Sequence, residues 1–181
     1  MRTTYANRGM AFERLIEITN EQYIHKNRAV IQKVPTPWKV FYDKRTKRSR
    51  AIPKEKSTVD YIGIANGQAI AFDAKSTRET TRFPLANIED HQVKFLKQWQ
   101  QNGGISFILV EFAKKHEVYI ITINQLQKWL ESAENGGRKS IPYEYFLTNC
   151  DLVKSKNGIL LDYLPLILKG RDTNEMSNMW K

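Results

Sequence analysis

Ser57-Thr58-Val59-Asp60-Tyr61-Ile62-Gly63-Ile64-Ala65-Asn66-Gly67-Gln68-Ala69-Ile70-Ala71-Phe72-Asp73-Ala74-Lys75 is the stretch that decides the fold. Asn66-Gly67 sits between two apolar runs, the strongest short signal for a two-residue type I′ hairpin. Such a turn fixes the register, placing Asp60 opposite Asp73 and Thr58 opposite Lys75. Alternate residues share a strand face, so these four side chains project from one side. Carboxylates directly across a ladder stand roughly 5 Å apart and repel. A hard divalent cation between them is the natural remedy. With Lys75 on the same face, the pattern points to a metal-dependent site for phosphoryl transfer. The plain alternative is a surface hairpin with solvated acids. Against it, Ile62, Ile64, Ala69 and Ala71 share the Asp60 face while Tyr61, Ile70 and Phe72 line the other. Strands apolar on both faces are buried in layered folds, and a buried carboxylate needs a partner.

The chain has 181 residues, enough for one domain with a proper core. Lys and Arg number 29 against 19 Asp and Glu, a net charge of +10 with an isoelectric point near 9.7. That excess favours a polyanionic partner, nucleic acid or an anionic membrane. Basic amphipathic helices with a broad apolar side are missing, which disfavours the membrane. No apolar run is long enough to span a bilayer, and nothing reads as a signal peptide. Cys150 is the sole cysteine, which excludes an intrachain disulfide and fits a reducing, cytoplasmic setting. His25, His91 and His116 are scattered, without the spacing of a zinc site.

Outward from the hairpin, a helix is expected over 8–26, capped by Asn7, with Phe12, Leu15, Ile16, Thr19 and Tyr23 facing inward. A short strand over 29–34 ends at Pro35. Residues 35–56 differ in kind: Lys39, Lys44, Arg45, Lys47, Arg48 and Arg50 crowd among Trp38, Phe41 and Tyr42 without a helical period. They read as a projecting arm, a twisted hairpin or a loop. A solvated charged loop is the bland interpretation. The interleaved aromatics favour nucleic-acid contact, since cations neutralise phosphates and rings stack on exposed bases.

Beyond the hairpin, a helix is expected over 86–101, ended by Asn102-Gly103-Gly104. Ile88, Leu96 and Trp99 form its stripe, and Gln92 falls on it, either a satisfied core amide or a neutral oxygen aimed at a metal. Strands follow over 105–112 and 118–123. Asn124 is the expected cap of a helix carrying Leu126, Trp129 and Leu130. Asn135-Gly136-Gly137-Arg138-Lys139-Ser140 could hold a phosphate through backbone amides with Arg138 and Lys139, or simply connect; it lacks P-loop spacing. Pro142 suits the first turn of a short helix, 158–168 is an apolar closing element, and 170–181 reads as a tail, with Trp180 a candidate to dock.

Laid out in order, the chain resembles the RecU family of Holliday-junction resolvases over most of its length. The resemblance rests on Asn7-Arg8-Gly9-Met10 with Glu13, Pro35-Thr36-Pro37, Ser57-Thr58-Val59-Asp60-Tyr61, Phe72-Asp73-Ala74-Lys75, Phe83-Pro84-Leu85, Asp90-His91-Gln92 and Asn135-Gly136-Gly137-Arg138-Lys139-Ser140. It implies an α/β fold, a restriction-endonuclease-like core with a central mixed β-sheet flanked by helices and a protruding basic stalk. It further implies a homodimer that nicks two strands of a four-way DNA junction symmetrically with Mg²⁺, for which Mn²⁺ substitutes. By matching position, Thr58, Asp60, Asp73 and Gln92 surround the metal and Lys75 supports the transition state. Glu13, and Glu17 one turn on, reach toward the site from the first helix or remain surface acids. Arg8, Trp38, Lys39, Lys44, Arg45, Lys47, Arg48, Arg50, Arg138 and Lys139 are the expected DNA contacts. A RecA-type recombinase or the branch-migration machinery is the implied protein partner. The family usually carries Glu where Asp73 stands, one methylene longer. Two alternatives stay open: a restriction-like or repair nuclease acting on other DNA structures, and a non-catalytic DNA-binding module that modulates a recombinase.

Overall fold

The structure, a computed structural model, describes residues 6–35, 38–53 and 58–169. The expectations for residues 170–181 and for the side chains of Arg8 and Trp38 fall outside it. In chain order the elements are α1 (Ala6–His25), β1 (Val30–Lys33), β2 (Trp38–Asp43), β3 (Arg48–Pro53), β4 (Tyr61–Ala65), β5 (Gln68–Thr77), β6 (Arg82–Pro84), α2 (Asp90–Gln101), β7 (Ile105–Phe112), β8 (Glu117–Thr122), α3 (Ile123–Glu134), β9 (Ser140–Pro142), α4 (Tyr143–Asn149), β10 (Asp151–Val153) and α5 (Leu164–Ile167). Six strands form one mixed sheet in the order β1-β4-β5-β7-β8-β10. Only β5 and β7 run parallel; the other neighbours are antiparallel. A parallel neighbour needs a crossover, and α2 rides on that crossover. The result is the central mixed sheet flanked by helices that the resemblance implied.

The hairpin forms in the register expected, with Tyr61 opposite Phe72 and Ala65 opposite Gln68. Asn66 and Gly67 both take positive φ, 49° and 72°, as a type I′ turn requires. Gly63 lets β1 and β4 close up: a Cβ there would fall 2.2 Å from the Val30 carbonyl oxygen.

The two sheet faces carry separate cores. On one face Phe12, Ile16 and Tyr23 of α1 pack against Ile31, Tyr61, Phe72, Phe107 and Tyr163. Tyr61, Phe72 and Phe107 stack in parallel across β4, β5 and β7, with centroids 4.8 Å apart at each step. On the other face Leu96 of α2, Leu126 of α3 and Phe146 of α4 cover Ala71, Ile108 and Val110. Both layers being apolar, β7 is buried along almost its whole length and β5 over residues 70–73, which is why these stretches show no polar alternation.

Several elements differ from expectation. Helix α1 starts at Ala6, so Asn7 lies inside it and does not cap it. The helix expected over 86–101 is broken. Leu85–Asn87 makes one 3₁₀ turn, Ile88 is extended (φ −99°, ψ 131°), and α2 starts at Asp90. Burying Ile88 in the core beside Leu85 requires that break. Thr122, not Asn124, caps α3: its hydroxyl accepts from the Gln125 amide while the Gln125 side chain receives the Thr122 amide, a complete capping box. Pro142 stands just before α4 rather than in its first turn. The closing segment is a turn leading to the short α5, and β10 is an additional edge strand. The glycines of 135–137 terminate α3: Gly136 takes φ 85° and the Gly137 amide reaches the Ser132 carbonyl at 2.8 Å.

A buried polar network locks the closing segment onto α1. The Tyr23 hydroxyl donates to Asp162 Oδ1 (3.0 Å) and accepts from the Leu164 amide (3.1 Å). Arg28 Nη1 reaches the same Asp162 oxygen at 3.2 Å. Removing one partner of a buried charged acceptor costs about 1–3 kcal/mol. Tyr23→Phe is therefore expected to lower the unfolding midpoint by several degrees, about 2–4 °C per kcal/mol at this size. A thermal melt followed by circular dichroism checks it; an unchanged midpoint would mean that this network adds nothing to stability.

Candidate functional site

The site begins where β4 and β5 leave the ladder. The Asp60 carbonyl accepts the Val34 amide at 2.8 Å, and its carboxylate Oδ2 accepts the Ala74 amide at 3.0 Å. That second bond holds the Asp60 side chain across to β5, beside Asp73. Asp73 lies on the central strand with none of its side chain exposed. Lys75, on the same face one pleat further, brings Nζ to 2.8 Å from Asp73 Oδ2 and keeps 18% of its side chain exposed. From above, the first turn of α2 delivers Gln92, whose Nε2 donates to Asp73 Oδ1 at 2.6 Å. Asp60, Asp73, Lys75 and Gln92, named from the sequence, thus form one constellation.

Its electrostatics are those of an incomplete site. Burial pushes the Asp73 carboxyl up to about 7, the nearby Asp60 charge adds to the rise, and Lys75 opposes it. Gln92 Oε1 is buried without a hydrogen-bond partner, and Asp73 Oδ2, also buried, meets Lys75 as an ion pair. Two acids held together, with the Gln92 amide oxygen buried and unpartnered beside them, form the oxygen-rich donor set that Mg²⁺ or Mn²⁺ takes. Among the described residues no group of three or more His, Cys, Asp or Glu side chains gathers. A cation here would complete its shell with the Gln92 amide oxygen and water.

Thr58 is exposed, two residues before Asp60. Glu13 and Glu17 stand on the opposite face of the sheet, where both bind Lys33 of β1, at 2.7 and 2.8 Å. The Glu13 backbone carbonyl also receives the Tyr61 hydroxyl. Lys33 itself was not singled out in the sequence, because only the β1–β4 register brings it beneath α1.

The basic arm is a β2–β3 hairpin, with Asp43 Oδ1 taking the Arg45 amide at 2.9 Å to shape its loop. Every side chain from Lys39 to Ala51 is exposed. Phe41 pairs with Arg50 across the ladder, and Lys39 Nζ lies 5.1 Å from the Phe41 ring centre. Lys39, Phe41, Arg48 and Arg50 accordingly share one face, cations around an open ring. Arg138 and Lys139 are exposed where β9 pairs with β6, and the Lys139 carbonyl receives the Leu85 amide.

A mixed-sheet protein with a two-carboxylate pocket and an outlying basic hairpin is thereby defined. The family profile described as recombination protein U matches residues 7–169. Curated relatives named Holliday junction resolvase RecU include one from Oceanobacillus iheyensis, 38% identical and covering 91% of this chain and 87% of its own length. One from a Geobacillus species is 42% identical over 76% of this chain and 71% of its own, and one from Oenococcus oeni is 39% identical over 91% and 86%. The chain belongs to the RecU family. The solved structure of Hjc, a Holliday junction resolvase from Archaeoglobus fulgidus, superposes with a TM-score of 0.45 at 11% identity, covering 75% of this chain and 91% of that one. A likeness that loose adds nothing to the assignment.

A folded-state value near 7 against an ordinary 3.8 means that the native protein holds a proton on Asp73 that the unfolded chain has lost. Native stability from this group is complete below the ordinary value and declines as pH rises to about 7. Asp73→Asn removes that decline. Relative to wild type, the metal-free variant is expected to gain stability progressively as pH rises from about 4 to about 7, and to keep that gain above it. Denaturant melts of both proteins in chelator would show it; parallel pH profiles would refute the raised value.

Proposed function

We propose that this chain is a Mg²⁺-dependent endodeoxyribonuclease that resolves Holliday junctions by paired, symmetric nicks. Membership in a family whose relatives are named Holliday junction resolvases supports the substrate. The Asp60–Asp73 pair with Lys75 in reach is the observation that carries the chemistry. Asp60, Asp73 and the Gln92 oxygen would hold the cation, with Thr58 an additional oxygen at the rim. Such a cation would supply Lewis acidity toward a phosphoryl oxygen and the attacking water. Asp60 is held in place by the Ala74 amide. The sheet and α2 keep bulk water from Asp73, which strengthens each charge interaction in the pocket. Lys75 carries a positive charge at the edge of the buried acid, where it can orient the attacking water or meet the charge growing on phosphorus. Glu13 and Glu17, tied to Lys33 on the sheet's other face, act at most from the outer sphere. The product is a 5′-phosphate and a 3′-hydroxyl.

The basic arm supplies the junction contact. Its cations neutralise phosphate, and Phe41 and Tyr42 offer faces on which unpaired bases at the junction centre can stack. Two symmetric cuts call for two sites related by a two-fold axis, hence a homodimer.

Asp73→Asn is expected to abolish cleavage of a labelled four-way junction in Mg²⁺ while keeping or tightening junction binding. Cleavage at the wild-type rate would remove Asp73 from the chemistry. Replacing Lys44, Arg45, Lys47 and Arg48 together by Gln is expected to weaken binding and to flatten its dependence on salt, by about 0.9 log units per lost phosphate contact. An unaltered slope in a binding titration would take the arm off the DNA.

A further inference from the structure

Beyond Lys75, strand β5 runs into a cluster of loops that the acid pocket does not use. Lys75 is paired with Val110, and Thr77 with Phe112, in the parallel ladder of β5 and β7. Past that point the Ala113 amide donates to the Thr77 carbonyl and the Tyr143 amide to the Thr81 carbonyl, each at 2.9 Å. Arg82 stands opposite Pro142 where β6 pairs with β9. Segments 77–82, 113–117 and 138–143 therefore meet at the end of β5 that carries Lys75. Phe83, Ile141 and Tyr143 belong to the core on the Asp73 face, so the cluster lies on that same face of the sheet.

The three segments hold Arg78, Arg82, Lys114, Lys115, Arg138 and Lys139 against two acids, Glu79 and Glu117. All of these cations except the half-buried Lys115 are exposed. Glu79 lies 3.7 Å from Arg82, a weak pairing of two half-open side chains. Glu117 is occupied, since its Oε2 accepts both the Tyr119 and the Tyr143 hydroxyls. Lys115 Nζ sits 4.0 Å from the Tyr143 ring centre, a position fixed by the ring. The rings nearest these cations, Phe83, Phe112, Tyr119 and Tyr143, are all buried. In the β2–β3 arm, by contrast, Phe41 and Tyr42 are open among the cations. Cations with open rings suit unpaired bases, whereas cations alone suit the phosphates of a closed duplex. The uncharged groove of about 340 Å³ beside α2, between Ala69 and Trp99, offers a phosphate no partner.

We propose that this rim is a second DNA surface, one that takes the phosphate backbone of a double-stranded arm beside the acid pocket. Strands β1 and β4 lie to one side of β5, and β7 and β8 to the other. The arm hairpin is inserted in the chain between β1 and β4, and the rim opens at the end of β7. The two basic surfaces thus belong to opposite sides of the strand that carries Asp73. Ala113 lies three residues beyond Val110, the partner of Lys75, and one strand across, roughly 11 Å away by strand geometry. That is about three base steps at 3.4 Å each. A duplex with one phosphate at Lys75 presents others, about three steps on, to Lys114 and Lys115. The arm meets the open centre of a junction and the rim meets a closed arm. Calling the duplex a junction arm rests on the nuclease reading above; the phosphate surface itself does not.

The test is a titration of linear duplex DNA and of a four-way junction with the full chain, in chelator and over a range of salt. Wild type runs beside a triple variant, Arg78→Gln with Arg82→Gln and Lys114→Gln, all exposed positions. Wild type is expected to bind the linear duplex. The triple variant is expected to bind it about tenfold more weakly at low salt, with a log–log salt slope flatter by about 0.9 per lost contact. Lys115→Gln, with unchanged circular dichroism, is expected to flatten the slope by about one contact of its own. A wild type that ignores linear duplex, or a triple variant with the wild-type slope, would overturn the rim. Polyglutamate that displaces the duplex at equal charge would make an acidic protein the occupant and overturn it as well. Junction affinity is expected to fall in the triple variant too; an unchanged value would overturn the identification of the duplex as a junction arm. No cleavage enters these titrations, so their failure is distinct from a failure of the nuclease assay.

Discussion

Asp73 is a carboxylate with no exposed surface, set in the middle strand of a six-stranded sheet, and its neighbours are arranged around the cost of keeping it there. An isolated buried carboxylate is among the most expensive groups a fold can hold. Three devices reduce that cost. Lys75 places a positive charge within 2.8 Å, Gln92 donates an amide hydrogen, and burial raises the carboxyl so that it takes a proton more readily than an exposed acid. They leave the Gln92 carbonyl oxygen buried without a hydrogen-bond partner beside the acid. The stacked rings of Tyr61, Phe72 and Phe107 on the reverse face supply packing that can carry the remaining strain. A pocket this dry costs stability when empty and strengthens any charge interaction formed inside it.

The hairpin was legible because its signals agree at short range. Asn-Gly demands positive φ at two successive residues, the turn fixes register, and register fixes which carboxylates face each other. Lys75 follows from strand alternation alone. Gln92 was visible as a polar residue on an apolar stripe, but its partner was not, since the contact crosses from α2 to β5. Thr122-x-x-Gln125 is a capping box written plainly in the sequence, and Asn124 drew attention from it because Asn is itself a favoured cap. The break at Ile88 is invisible to periodicity: helical spacing continues through it, and only core burial shows why the backbone must extend. Strand β10 has three residues, too few to carry a period. The ion pairs of Lys33 with Glu13 and Glu17 depend on the docking of α1 onto β1, a tertiary fact.

Charge is distributed with a division of labour. The exposed β2–β3 hairpin holds cations and rings together, whereas among the described residues the groove beside α2 is lined by neither cation nor acid. Phosphate is drawn to the first and repelled by nothing at the second, yet finds no partner there.

The single parallel pairing, β5 with β7, has a further consequence for the order in which the chain assembles. The β4–β5 hairpin closes through a two-residue turn and can form early, with both carboxylates still hydrated. Strand β7 can join only after residues 78–104, with α2 among them, have swung across, and long-range pairings form late because their loop entropy must be met first. Asp73 therefore loses its water at the closing step, when β7 and α2 arrive together. On that order, closing the sheet and completing the candidate site are one event.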